Sequence, residues 1–185
     1  MGNGVRHIIV GENGLLSTPA VSAIIREYSP SHKRPFGAFI LTASHNPGGP
    51  DEDFGIKYNC ETGGPAPERL TEAIFEKSKL IETVKSSDSF PDVNLHSVGS
   101  SQYRSEDGKL CVVVDVISST AIHCNLLSEV FDFPAIQKLC QRADFAFVYD
   151  CMHGVQGPYA RSVFVDMLGL PESCLKNAIP RLIYI

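Results

Sequence analysis

Apolar and polar positions along the chain fall into short runs with two different periods. His7-Ile8-Ile9-Val10 is a strand-like apolar run stopped by Gly11, and Glu12-Asn13-Gly14 supplies a turn. From Thr18 the period lengthens: Val21, Ile24, Ile25 and Tyr28 recur at helical spacing, with Thr18 as the expected N-cap and Pro19 at the first helical position. Ser29-Pro30-Ser31-His32-Lys33-Arg34-Pro35 breaks that helix as a basic surface loop. Phe36-Gly37-Ala38-Phe39-Ile40-Leu41 is near-continuously apolar, the pattern of a strand buried on both faces. Strand, helix, strand predicts a right-handed parallel crossover, which sets the residues after Leu41 at the ligand edge of a parallel sheet.

Downstream, Phe54 to Asn59 alternates as a second strand, returning in hairpin fashion so that Lys57 comes back beside Ser44. Residues 67–85 form an amphipathic helical pattern with Leu70, Ile74, Phe75, Leu80 and Ile81 on the inner side. Serine, aspartate, proline and glycine then dominate residues 86–109, which reads as a linker or irregular crossover. A β-rich run at 110–115, helical patterns at about 119–131 and 134–142, a buried-type strand at 145–150, a loop at 152–157 and a helix at 159–168 complete an α/β order. The expected division is a first domain at 1–92, a linker at 93–109 and a second α/β unit at 110–185.

Composition narrows the class of protein. With 185 residues and 43% hydrophobic content the chain can bury a core, and its formal charge of −5 argues against a general nucleic-acid or membrane-surface binder. Six cysteines without a C-x-x-C pair fit reduced thiols of a cytosolic protein better than a disulfide framework. No apolar run is long enough to span a bilayer.

Candidate chemistry gathers where the Phe36–Leu41 strand ends. Asn46-Pro47 and Gly48-Gly49-Pro50 force a turn, leaving Ser44 and His45 at the handover from strand to loop. A hydroxyl becomes a good nucleophile only when a base, metal or charged donor activates it. Neighbours in an extended segment point to opposite faces, so Ser44 and His45 are not expected to touch, and no G-x-S-x-G elbow supports a serine hydrolase. A solvated turn is the plain alternative. Lys57 could neutralise a phosphoryl oxygen, or be an exposed strand lysine. Asp51-Glu52-Asp53 could suggest a hard cation, but consecutive side chains diverge. His153-Gly154 and Gly157 weakly resemble a phosphate-cradling loop, for which a packing role is the stronger reading. Cys151 with His153 makes a poor zinc site, and His123-Cys124 reads as packing.

Thr42-Ala43-Ser44-His45-Asn46-Pro47-Gly48-Gly49-Pro50, with Asp53-Phe54-Gly55-Ile56-Lys57-Tyr58-Asn59 and Gly63-Gly64-Pro65-Ala66-Pro67-Glu68, resembles the active-site region of the α-D-phosphohexomutase superfamily, most of all its phosphoglucomutase branch. Val10-Gly11-Glu12-Asn13-Gly14-Leu15-Leu16-Ser17-Thr18-Pro19 and Asp150-Cys151-Met152-His153-Gly154-Val155-Gln156-Gly157 extend the likeness. The resemblance implies two consecutive α/β/α domains of this type with mixed, largely parallel sheets, both incomplete. It implies Ser44 as phosphoryl carrier, His45 as general acid/base and Lys57 as electrostatic stabiliser, with Thr42, Asn46 and Gly48 shaping the phosphate loop. It further implies interconversion of glucose 1-phosphate and glucose 6-phosphate through glucose 1,6-bisphosphate, supported by Mg2+ bound to the Ser44 phosphate. Family members hold that ion with an Asp-Gly-Asp-Gly-Asp loop, which does not occur in these 185 residues. The expectation is therefore a fragment with little turnover alone. The alternative is a non-catalytic relative acting as adaptor or structural partner.

Overall fold

The computed structural model describes residues 3–28, 34–85, 90–105, 108 and 111–181. Residues 29–33 of the loop expected at 29–35, and parts of the 86–109 stretch, lie outside the described residues. The chain forms an α/β fold of two compact units, one built from Met1–Leu16 with Ala66–Ser119, the other from Ser17–Pro65 with Thr120–Ile185.

The first unit is organised on a three-stranded sheet in the order β1 (His7–Gly11), β5 (Cys111–Ile117), β4 (Gly99–Arg104). The central strand is parallel to β1, with His7 opposite Val113 and Gly11 opposite Ile117, and antiparallel to β4. Val112, Val114, Val116 and Ile117 are buried, as a continuous apolar run requires in the middle of a sheet. Asp115 is buried among them and meets His7 Nε2 at 2.7 Å. Helix α2 (Glu68–Ser78) is shorter than the expected 67–85 and buries none of its residues, so Leu70, Ile74 and Phe75 keep an exposed apolar face.

The linker at 93–109 contains β4, whose sequence Gly-Ser-Ser-Gln-Tyr-Arg is polar because it is an edge strand with one neighbour. The two compact units are interleaved along the chain, and within the first β1 takes β5 as its parallel neighbour.

In the second unit, helix α1 (Thr18–Glu27) packs on helix α3 (Ala121–Val130) and on strand β2 (Gly37–Thr42). Ser17, not Thr18, caps α1: its Oγ accepts from the Ala20 N–H at 3.3 Å, and the Ser17 N–H donates to the buried Tyr159 hydroxyl at 3.1 Å. Ala20, Val21, Ala23, Ile24 and Ile25 form the buried stripe that the helical spacing predicts. Helix α4 (Phe133–Cys140) is capped by Asp132, whose carboxylate accepts from Ala135 N–H. The strand expected at 145–150 reduces to β6 (Tyr149–Asp150), because its parallel partner β7 (Leu175–Lys176) offers only two residues. Helix α5 (Gln156–Ala160) runs on into a π-helical turn at Arg161–Met167.

Strand β2 pairs with β3 (Gly55–Cys60) as an antiparallel two-stranded sheet, from Gly37 opposite Cys60 to Thr42 opposite Gly55. The parallel pairing of β1 with β2 does not form. Nor is β2 buried on both faces: Ile40 is 6% exposed, whereas Phe39 and Leu41 are 67% and 64% exposed. Strand alternation explains the split. Ile40 and Asn59 share the covered face, while Phe39, Leu41, Ile56 and Tyr58 share the other. Asn59, buried and polar, is satisfied by donating from Nδ2 to Ser22 Oγ and Gly63 O.

Candidate active site

The loop joining β2 to β3 leaves the last strand pair at Thr42 and Gly55. Ala43 O accepts from Asn46 N–H at 3.1 Å, closing a turn with Ser44 and His45 at its centre. Ser44 has φ +63°, and His45 is not among the positive-φ residues, so φ is positive at the first central position alone, as in a type II′ turn. A residue with a Cβ pays about 1–2 kcal/mol for the left-handed region. Two local bonds accompany it: besides the turn bond, Ser44 N–H donates to Thr42 Oγ1 at 2.9 Å.

This turn overturns the expectation that Ser44 and His45 diverge. That inference assumed extended backbone, and a left-handed residue swings both side chains to one side. Ser44 Oγ lies 3.3 Å from His45 Nδ1. The β2–β3 register, with Ile40 opposite Lys57, brings the lysine back as the hairpin reading requires, and Lys57 Nζ donates to Ser44 Oγ at 3.1 Å. Lys57 occupies one lone pair of the hydroxyl and leaves its proton free to point at Nδ1. All three side chains are exposed, so the cluster is open to a ligand from solvent.

The remaining loop residues act on shape. Asn46 Nδ2 donates to Asp53 Oδ2, Asp53 N–H donates to Pro47 O at 3.1 Å, and Gly48 forms a bridge with Asp53. A Cβ on Gly48 would come within 3.2 Å of the Ala43 methyl, a tight fit against the turn that carries Ser44. The Asn46–Asp53 tie spans the loop and was missed by reading Asp51-Glu52-Asp53 as a charge cluster. Its only signal in the sequence is an amide and a carboxylate flanking a Pro-Gly-Gly-Pro bend.

The second glycine-containing loop is built for packing. Met152, His153 and Asn177 have φ of 50°, 56° and 50°. Asp150 Oδ1 accepts from Asn177 Nδ2 and from Met152 N–H, both at 2.9 Å, and these donors hold its carboxyl below the usual carboxylate range. His153 donates from Nδ1 to Ile179 O at 3.0 Å, so that ring nitrogen is already committed. Cys151 is fully buried and burial pushes its thiol up, which suits a packed residue rather than a metal ligand. His123 packs edge-on to Tyr159 at 5.6 Å, in keeping with its packing role, and leaves a buried Nδ1 without a hydrogen-bond partner. All six cysteines are free.

Comparison with known proteins shows what the chain is similar to. Residues 1–85 match the family described as phosphoglucomutase/phosphomannomutase, alpha/beta/alpha domain I. Within it, the similar proteins are phosphoglucomutases. The chain is 51% identical over 180 residues to the cytoplasmic phosphoglucomutase of Solanum tuberosum, covering 97% of this chain and 30% of that protein. It is 49% identical over 181 residues to that of Populus tremula, covering 97% and 31%. Among solved structures, the exocytosis-sensitive phosphoprotein pp63/parafusin, a phosphoglucomutase from Paramecium in its open form, superimposes with a TM-score of 0.85 at 38% identity, over 97% of this chain and 32% of that one. The chain thus spans about 30% of the length of the curated relatives it matches.

Proposed function

We propose that Ser44 is the phosphoryl carrier of a phosphoglucomutase-type reaction that interconverts glucose 1-phosphate and glucose 6-phosphate through glucose 1,6-bisphosphate. The observation that carries this reading is the meeting of Lys57 Nζ and His45 Nδ1 on the Ser44 Oγ, at 3.1 and 3.3 Å. Phosphoryl transfer depends on holding the acceptor in line and on neutralising charge on the equatorial oxygens. Lys57 supplies a fixed positive charge beside the oxygen that bears the phosphoryl group. His45 takes the hydroxyl proton as Oγ attacks and returns it when the phosphoryl group leaves for the sugar. Thr42, Asn46 and Gly48 keep the loop in the shape that aims Oγ at both groups.

Relatives of this kind imply Mg2+ at the phosphoserine. The residues around Ser44 do not by themselves fit that ion: they are an ammonium, an imidazole and an amide, and the loop carboxylate Asp53 is engaged by Asn46. Among the described residues no three His, Cys, Asp or Glu side chains gather closely enough to hold a metal. A hard divalent cation takes about six oxygens, of which a Ser44 phosphate supplies one or two. Among the described residues the phosphoryl relay therefore stands without a magnesium cage, and little turnover is expected of the chain alone.

In this reading residues 1–92 correspond to the first mutase domain and 110–185 to part of the second, which the extent of the relatives' match beyond residue 85 supports. We place the protein in the cytoplasm, as its plant relatives are named. Phosphopeptide mapping of the native protein tests the proposal: phosphate on Ser44, absent after Ser44→Ala, is expected, and a native protein with phosphate elsewhere only would overturn it. A coupled assay in which the purified 185-residue chain converted glucose 1-phosphate rapidly would overturn the expectation of low turnover.

A further inference from the structure

The loop between β2 and β3 poses a physical problem that Ser44 and its neighbours do not solve. Residues 43–54 leave and re-enter one strand pair, most of them are exposed, and they carry a left-handed non-glycine residue at the centre of their first turn. Backbone of that kind relaxes to φ < 0 unless surrounding contacts over-determine it. The turn bond from Asn46 N–H to Ala43 O and the bond from Ser44 N–H to Thr42 Oγ1 are both local and open to competition from water.

One residue ties the turn to the returning strand. Asp53 is fastened to the Asn46–Gly48 segment through both side chain and backbone: its carboxylate accepts from Asn46 Nδ2 at 2.5 Å, and its N–H donates to Pro47 O at 3.1 Å as part of a parallel bridge to Gly48. Asn46 is also the residue whose N–H closes the turn around Ser44. Two residues after Asp53, Gly55 enters the strand pair opposite Thr42, so the same clasp is referenced to the hairpin that carries Lys57. A charge-assisted bond is the strongest tie available at such an exposed place.

We propose that Asp53 is a positioning residue: by holding the Asn46 side chain it fixes the left-handed backbone of Ser44 and so keeps Oγ in contact with Lys57. This rests on the reading of Ser44 as phosphoryl carrier for its functional meaning, whereas the geometric claim stands on the loop itself. The chemistry specifies which substitutions preserve it. Asn at position 53 retains an acceptor oxygen of the same reach, Ala removes it, and Asn46→Ala removes the donor while leaving the Asp53 backbone bridge in place.

The test is nuclear magnetic resonance on the isotope-labelled 185-residue chain. A residue at φ near +60° shows a strong HN–Hα cross-peak within itself, and the Ser44–Lys57 contact shows as a cross-peak between Ser44 Hβ and Lys57 Hε. Both signals are expected in the wild type and in Asp53→Asn, and both are expected to be lost in Asp53→Ala and Asn46→Ala. The Phe39–Tyr58 ring contact, with centroids 5.2 Å apart, reports whether the hairpin itself is intact and is expected in all four proteins. Persistence of the two Ser44 signals in Asp53→Ala, or their loss in Asp53→Asn, would overturn the proposal. Absence of phosphate from Ser44 of the native protein counts against the carrier reading and leaves these signals as they are, so the two failures are told apart.

Discussion

Gly157 separates a packing role from a phosphate-binding one. A Cβ built at this position would lie 1.8 Å from Ala178 O and 2.6 Å from Ala178 C, backbone atoms that cannot rotate away. Ordinary contact begins near 3.4 Å, so Gly157→Ala forces the segment after β7 to retreat by roughly an ångström and a half. That segment is held by several bonds: Cys151 N–H donates to Lys176 O at 2.9 Å, His153 N–H to Asn177 O at 3.0 Å, and Arg181 N–H to His153 O at 3.0 Å. Overpacking of this kind costs about 1–3 kcal/mol, and each loosened bond adds roughly 0.5–1.5 kcal/mol. Helix propensity pulls the other way, favouring Ala over Gly by about 1 kcal/mol. The steric effect wins, and a net loss of about 2–4 kcal/mol is expected. Gly154→Ala serves as the control, since its Cβ would stand 3.3 Å from Cys151 O, a contact relieved by a few tenths of an ångström. Urea unfolding of the chain gives the difference, and hydrogen exchange at Cys151 and His153 shows whether the loss is local. A Gly157→Ala chain as stable as the wild type, or more so, would refute the reasoning and return this glycine to the phosphate-loop reading.

Lys57→Met is expected to slow phosphoryl uptake at Ser44 by roughly five- to thirtyfold, since an exposed charge at this range contributes about 1–2 kcal/mol, with Lys57→Arg intermediate; quench-flow mass measurement checks it, and an effect insensitive to added salt would count against an electrostatic role. Burial lowers the His123 pKa in the folded chain, so protonation favours the unfolded state. Its contribution is complete above the ordinary histidine value near 6.5 and is lost as pH falls from there toward the lowered folded pKa, a slope that His123→Phe should remove from melts recorded between about pH 5 and 7. The bare face of the β2–β3 hairpin, with Phe39, Leu41 and Ile56 exposed, should make the purified chain associate as its concentration rises. Sedimentation velocity should show less association for the Phe39→Ser, Leu41→Thr double variant, and an unchanged profile would place the association elsewhere.

Much of the molecule is written locally. The stripe Val21, Ile24 and Ile25 set α1, the apolar run ending in Asp115 set the central strand of its sheet, and alternation through Lys57 set the hairpin, because each signal is carried by residues a few positions apart. The family resemblance was legible for the same reason, since the Thr42–Pro50 loop and the Asp53–Asn59 strand are contiguous. Tertiary structure alone decided the rest. Which strand pairs with β1, and that Gly99–Arg104 joins that sheet, depend on partners about a hundred residues away or on an edge strand whose polar sequence hides its pairing. The contact of Ser44 with His45 turned on one backbone angle that Asn46 and Asp53 help to hold, and side-chain direction follows backbone angle rather than residue identity.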